Sequence, residues 1–390
     1  MERVYLDYAA ATPLNAGVKK SMDETQNFFG NPSSIHEEGK KAKEIVERSR
    51  KKIAGVLGAK AGEVIFTSGG TESNNLAIFG VAKFFSAEGG SASGGKNGHI
   101  ITSKIEHPSV LEPIKELQKD GFNITYIEVN NDGIVNLEDI KKAMRDDTIL
   151  ISIIYANNEI GTIQQIREIG RIIKSHKPYT VGHMPYFHID ACQASEYLNL
   201  KVESLGVDLL SANASKIYGP KGVGFLYKKN KVKIYPQILG GGQEDGVRSG
   251  TESPELCAGL SRALEIAEEN KEKESRRLSE LRDYFIEKVL SQISSAELNG
   301  SKKNRLPNNI NFNFKGCDVE NLLVKLDLKG IACSTGSACS SQFADLSHVI
   351  LALGKGDHAA RSSIRFSLGR QTNNEELNYV IKVLCETLKN

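Results

Sequence analysis

The stretch VIFTSGGTESNNLAIFGVA, residues 64–82, decides the fold. VIFT is β-branched or aromatic throughout and reads as a strand; two glycines follow, then an apolar-rich run that reads as a helix. A strand, a tight glycine turn and a helix form the arrangement with which a sheet enzyme holds an anionic group. Gly69 and Gly70 let the backbone come close, the helix N-terminus offers free N–H groups, and Thr71 adds a hydroxyl. The same pattern also serves as an ordinary helix start, so the rest of the chain has to say which it is.

Outward from this stretch, between about residues 16 and 260, helical patterns alternate with short β-branched runs: HIITS (99–103), TILISIIYA (148–156), YFHIDA (186–191) and VDLLSA (207–212). That order predicts an α/β fold with a mostly parallel sheet. Ala42, Ile45, Val46, Ile53, Ala54 and Leu57, set among charges, predict an amphipathic helix over 34–57. EGGSASGGKNG (88–98) is rich in Gly and Ser and reads as a surface loop inserted without catalytic work. Residues 254–292 predict a long helix with a solvated, charged face that links two domains. The expected organisation is a large domain over 16–262 and a small α+β domain made of 1–15 and 263–390.

In open α/β sheets, ligands collect beyond the carboxyl ends of the strands. Polar residues cluster at four of these ends: His107, then Asn157 and Asn158, then Asp190 and Gln193, then Ser215 and Lys216. Any one of them suits a cap or a surface position. Together they outline a site with an aromatic base, an amide, a carboxylate and an amine.

Composition narrows the function classes. Fifty basic and 48 acidic residues leave a net charge of +2, which gives no reason to expect a nucleic-acid surface. No apolar run approaches the ~20 residues that span a bilayer, and MERVYLDYAAATP enters a strand-like alternation without a charged-then-apolar leader, so a cytoplasmic protein is expected. The six cysteines, at 192, 257, 317, 333, 339 and 385, form no CxxC pair; neither zinc nor disulfides are expected. Five of them read as small buried hydrophobes. Cys339 differs because CSTGSACSSQF (333–343) is so rich in Ser, Gly and Ala that it reads as a loop.

The motifs YLDYAAATP, GNPSSIHEEG, SGGTESNN, EHPSV, NNEIGTIQ, HIDACQA, SKIYGPKGVGFLY, GGGQEDGVRSGT, STGSACSS and SSIRFSLGR occur in this order. The chain therefore resembles the NifS/IscS-type cysteine desulfurases of the class V aminotransferase family, fold-type I pyridoxal-phosphate enzymes, nearly from end to end. The resemblance implies pyridoxal 5'-phosphate as cofactor, L-cysteine as substrate and a homodimer. Lys216 is then the lysine that binds the cofactor aldehyde and moves the Cα proton, in preference to Lys221 in its Gly-Pro turn. Asp190 faces the pyridine nitrogen, and His107 stacks on the ring and moves protons at the substrate thiol. Gln193 and Asn157 bond the phenolic oxygen, Asn157 also lying near the substrate carboxylate, which Arg365 binds. Gly70, Thr71, Asn213 and Ser215 serve the phosphate, with Thr251 reaching the partner subunit's cofactor. Cys339 takes the sulfur as a persulfide, leaving alanine, and the spacing from Cys339 to Arg365 resembles the family's long-loop branch, which passes sulfur to protein acceptors such as iron–sulfur scaffolds or tRNA-thiolation enzymes.

The chain departs from the family at two points. The Ser-Gly-His that usually precedes the lysine is here Asn213-Ala214-Ser215, and only about twenty residues follow SLGR, so docking of a scaffold by a longer tail is not expected. Rival readings are a selenocysteine lyase, a related fold-type I enzyme such as an aminotransferase, and a catalytically impaired sulfur-relay subunit. If Ser215 carries phosphate contacts, Ser215→Ala is expected to retain less cofactor after dialysis than the wild type, read from cofactor absorbance; equal occupancy would contradict that role.

Overall fold

The structure, a computed structural model, describes residues 3–87, 98–176, 184–335 and 346–388. The strands run β1 Val4–Tyr5, β2 Val64–Thr67, β3 His99–Ser103, β4 Asn123–Ile127, β5 Thr148–Ile154, β6 Tyr186–Asp190, β7 Leu209–Asn213, β8 Gly224–Lys228, β9 Ala296–Leu298, β10 Asn309–Phe314, β11 Ile331–Ala332 and β12 Ser363–Ser367. Seven of them form the central sheet in the order β2-β8-β7-β6-β5-β3-β4. The five from β7 to β4 pair in parallel, and β8 runs antiparallel to both of its neighbours. This is the mostly parallel α/β sheet expected from the alternation. Every residue of β3 and β5 is buried, because helices cover both faces; this is why TILISII is apolar at five of its seven positions.

The helices follow their sequence signals. Helix Glu37–Leu57 buries Ala42, Ile45, Val46, Ile53, Ala54 and Leu57, and ends on Gly58 at φ 67°, a left-handed stop that glycine adopts without strain. Helix Pro254–Gln292 starts where Ser253 accepts the Leu256 N–H at 3.3 Å, with Pro254 in its first turn. No residue from 268 to 277 is buried, so its charged middle is solvated as expected. Two smaller sheets lie beyond it, β12-β10-β9 antiparallel and β1-β11 parallel. The N-terminal segment thus returns to the C-terminal part of the chain through Val4 and Tyr5, paired with Ile331 and Ala332.

Among the five cysteines of the described residues, only Cys257 is fully buried; Cys192, Cys317, Cys333 and Cys385 are intermediate. The expectation of buried small hydrophobes holds for one. The proposed surface loop at 88–98 lies, apart from Gly98, outside the described residues. No described helix is long and apolar enough to cross a membrane.

Candidate active site

The carboxyl ends of β3, β5, β6 and β7 and the turn after β2 meet at one edge of the sheet. Antiparallel β8 begins there, and a Cβ on Gly224 would meet Gly69 backbone at 2.8 Å. From β2 the chain turns through Ser68 and Gly69 (φ 153°) into helix Gly70–Ala87. The Ser68 N–H is capped by Glu72 at 2.6 Å, and Arg248 holds Glu72 from the far loop at 2.8 Å. The opening N–H groups of such a helix have no intrahelical partner. A Cβ on Gly70 would stand 2.5 Å from Cys192 Sγ and 3.5 Å from Asn213 Cβ, so the helix meets β6 and β7 only because residue 70 has no side chain.

Asp190 ends β6 and is 4 % exposed. Its Oδ1 accepts the Cys192 N–H at 2.9 Å, and its Oδ2 accepts Asn74 Nδ2 at 2.8 Å. Asn74 also donates to Ser109 Oγ at 2.8 Å. His107 caps helix Pro108–Lys119, its Nδ1 accepting the Ser109 N–H at 3.1 Å and lying 2.7 Å from Ser109 Oγ. Burial lowers the His107 pKa, Lys216 and His348 lower it further, and Asp190 opposes them. His107 lines two cavities: one of about 400 Å³ with Thr71 and Asn75, the other of about 1050 Å³ with Asn158, Glu159 and His348.

The amine end is built by a short 3-10 turn, Ala214–Lys216, capped by Asn213, whose Oδ1 accepts the Ser215 N–H at 3.0 Å and the Ser215 hydroxyl at 3.1 Å. Lys216 Nζ donates to the Ala10 carbonyl, and Gln193 Nε2 donates to the Ala9 carbonyl at 2.9 Å. The segment YLDYAAATP therefore lies across the two residues that the sequence assigns to the cofactor ring. Tyr218, two residues past the lysine, sits at φ 60°. It is held by its N–H to Thr12 Oγ1 at 2.8 Å, by its hydroxyl accepting the Arg370 N–H at 2.7 Å, and by the Arg370 guanidinium 4.1 Å from its ring centre. Lys221, in its Gly-Pro turn, is exposed.

Arg365, on β12, is 2 % exposed and not a surface arginine. Its Nη2 donates to Asp7 Oδ1 at 2.7 Å and its Nη1 to the Asn158 carbonyl at 3.1 Å. Asn157 is fully covered. Its Nδ2 donates to the Ile105 carbonyl at 2.8 Å and its Oδ1 accepts the Glu159 and Ile160 N–H groups, so the structure gives it a loop-capping role, with one Nδ2 hydrogen left over. Thr251 is exposed and stands just before helix Pro254–Gln292. Cys339 lies outside the described residues. The two described ends of its segment are bonded to the site: Ser334 pairs through both backbone groups with Arg365, while Ser347 donates to Glu159 at 2.5 Å and His348 Nε2 bonds the Glu106 carbonyl at 2.9 Å.

With this geometry in hand, comparison with known proteins decides the family. The aminotransferase class-V family model matches residues 4–380. The chain belongs to that family. The class V protein named cysteine desulfurase IscS from Dictyoglomus turgidum is 51 % identical over 98 % of this chain and 93 % of its own length. A solved NifS-like protein superposes with a TM-score of 0.90 at 35 % identity, covering 99 % of both chains. A structure described as SspA in complex with cysteine gives 0.79 at 36 % identity over 94 % of this chain and 98 % of the other. Class V enzymes of this kind use pyridoxal phosphate in general.

The residues present fit that cofactor. A glycine-lined helix N-terminus suits its phosphate, the covered carboxylate of Asp190 suits a pyridinium nitrogen, and Lys216 supplies an amine on the same sheet edge. Sequence reasoning missed Asn74, Ser109, Asp7 and Glu106. Each sits inside a quoted motif, and a His-Pro-Ser helix start was signal enough for Ser109.

Two outcomes follow. Gly70→Ala is expected to destabilise the chain by about 1–3 kcal/mol in urea denaturation through overpacking against Cys192, and Cys192→Ala in the same chain to restore most of it; no rescue would place the clash elsewhere. Glu106 is wholly buried, its Oε1 accepting the Ile154 N–H at 2.9 Å beside Ser103 Oγ at 2.5 Å, and burial pushes its carboxyl up to about 8. Its folded value exceeds the ordinary one of about 4.3, so the unfolded chain holds fewer protons between about pH 4 and 8, and stability falls as pH rises through that window. Glu106→Gln, which cannot ionise, is expected to gain in melting temperature relative to wild type steadily from about pH 5 to 8. A difference that stays constant would show that Glu106 titrates normally.

Proposed function

We propose that this chain is a pyridoxal-phosphate-dependent cysteine desulfurase that takes the sulfur of L-cysteine onto Cys339 and releases L-alanine. The observation that carries the reading is the meeting of Lys216, Asp190 and His107 at one sheet edge, in a chain 51 % identical to a protein named for that activity. When bound, the cofactor supplies an electron sink for bond breaking at the substrate Cα and Cβ.

The chain's own residues supply the rest. Arg365, its plane held by Asp7 and the Asn158 carbonyl, offers a guanidinium fork to the amino-acid carboxylate. Lys216 anchors the cofactor and carries the Cα proton. Asp190 keeps the ring nitrogen protonated, since its two oxygens are fixed by the Cys192 N–H and Asn74. Gln193 and the remaining Asn157 hydrogen reach the phenolic oxygen; Gly70, Thr71, Asn213 and Ser215 receive the phosphate, with Thr251 contributed by a second copy. His107 covers the ring face and handles the proton at the substrate sulfur. The Cys339 thiolate attacks that sulfur: an S–S bond forms, the substrate C–S bond breaks, and the electron pair returns to the substrate carbon, which takes a proton. Cysteine and one enzyme thiol thus become alanine and one enzyme persulfide, with no outside oxidant.

Four of the other thiols are disfavoured as nucleophiles by their surroundings. Burial pushes Cys192, Cys257 and Cys317 up, and Cys333 up to about 12, so these thiols are poor nucleophiles near neutrality. A selenocysteine lyase is the second reading, because the substrates differ by one atom; competition between them separates the two. The division into domains 16–262 and 1–15 with 263–390, a cytoplasmic location, a homodimer, and an iron–sulfur scaffold or tRNA-thiolation enzyme as persulfide acceptor belong to the same proposal.

The cofactor-loaded protein, given L-cysteine and a reductant, is expected to yield sulfide and alanine in equal amounts, and Cys339→Ser to fall to the level without enzyme. Alanine absent from the wild-type reaction would sink the reading; alanine formed equally by the variant would move the nucleophile to another thiol.

A further inference from the structure

The hydrogen bonds from Asp190 to His107 have a direction that one amide determines. Asn74, fully covered in helix Gly70–Ala87, has two hydrogens on Nδ2, one on Asp190 Oδ2 and one on Ser109 Oγ, both at 2.8 Å. Turning the amide round would set its oxygen against the Asp190 carboxylate, acceptor against acceptor. Ser109 Oγ therefore accepts from Asn74 and has its single proton left for His107 Nδ1, 2.7 Å away. The Ser109 backbone N–H reaches the same nitrogen at 3.1 Å. With two donors aimed at it, Nδ1 is a lone-pair acceptor, and the ring's proton sits on Nε2.

We infer that Asn74, acting through Ser109, is a positioning residue that holds His107 in its Nε2–H form while it holds Asp190 as an acceptor. His107 then meets the substrate with a proton to give, and the two groups proposed to face the cofactor are tied together by an amide that touches only one of them. The proton-donor role rests on the desulfurase reading; the tautomer does not. The charged and titratable groups around His107 are Asp190, Lys216 and His348, with Glu106 adjacent and Lys104, Glu112, Lys115, Glu128 and Glu159 lining its cavities. A hydrogen bond to the neutral ring disfavours its protonation, so loss of the chain of bonds lets His107 protonate more readily.

The test is imidazole nitrogen NMR on the full-length, cofactor-loaded protein labelled in histidine, with His107 assigned from His107→Gln. Wild type is expected to show Nε2–H near neutral pH. Asn74→Ala is expected to raise the His107 titration midpoint by about one pH unit, roughly tenfold in proton affinity. Ser109→Ala should do at least as much, and the double variant no more than Ser109→Ala alone. Ser109→Ala, a deletion of one oxygen, carries the test should Asn74→Ala fail to fold. A proton on Nδ1 in the wild type, an unmoved midpoint, or additive shifts would each overturn the inference. Inactivity toward cysteine would count against the desulfurase reading and leave these results standing.

Discussion

Asp190 is a carboxylate at the end of a central strand with almost no water to solvate it. An ion in that position is tolerated only if fixed donors replace its hydration, and those donors come from two directions. The Cys192 N–H arises from the turn that follows β6, and Asn74 reaches across from the first turns of helix Gly70–Ala87. The second bond requires the helix to approach β6 closely, and the approach requires glycine at 70. The position of the helix N-terminus, and with it the candidate phosphate site, therefore follows from the need to satisfy one carboxylate.

The N-terminal segment plays a corresponding part on the opposite side. Its Ala9 and Ala10 carbonyls receive Gln193 and Lys216, and Thr12 bonds the turn on both sides of the lysine, to the Ser215 carbonyl and the Tyr218 N–H. Asp7, in the same segment, holds Arg365. A short piece of chain with little regular structure of its own thus touches the residues proposed for cofactor anchoring and for substrate binding. Its own placement comes from β1 pairing with β11 and from the Ala9 N–H on Ser367 Oγ at 2.8 Å. The site is consequently a joint product of the first and last parts of the sequence.

Much of this was legible in advance. Parallel strands covered on both faces are rich in β-branched and apolar residues, so β3, β5, β6 and β7 stand out as runs, and residues just past such runs fall at the sheet edge where ligands collect. His107, Asp190 and Lys216 were found in this way. Less legible were groups whose importance depends on approach across the sheet. Asn74 reads as a polar position of a helix until the helix is placed against β6, and Asp7 reads as a strand-end acid until β12 brings Arg365 to it. Asn157 combines two tasks: a strand-end amide that reads as a ligand also folds its own turn, its oxygen accepting the Glu159 and Ile160 N–H groups.

Arg365 illustrates how the same contacts can serve stability and chemistry together. An unpaired guanidinium that is 2 % exposed would be costly, and Asp7 removes that cost in the absence of substrate. In the substrate-binding role proposed for Arg365, a carboxylate arriving from an amino acid enters a field in which one negative partner is already present, so attraction is weaker than to a bare arginine, while the fork is already oriented. Weaker ground-state attraction with fixed geometry favours turnover over retention, because alanine, the product, carries the same carboxylate as cysteine. The Asp7–Arg365 pair and the Ser334 ladder on the same residue also mean that the nearer described end of the Cys339 segment is anchored to the arginine proposed to bind substrate. Ser334 and the arginine proposed to bind substrate are thus both referred to one strand, β12.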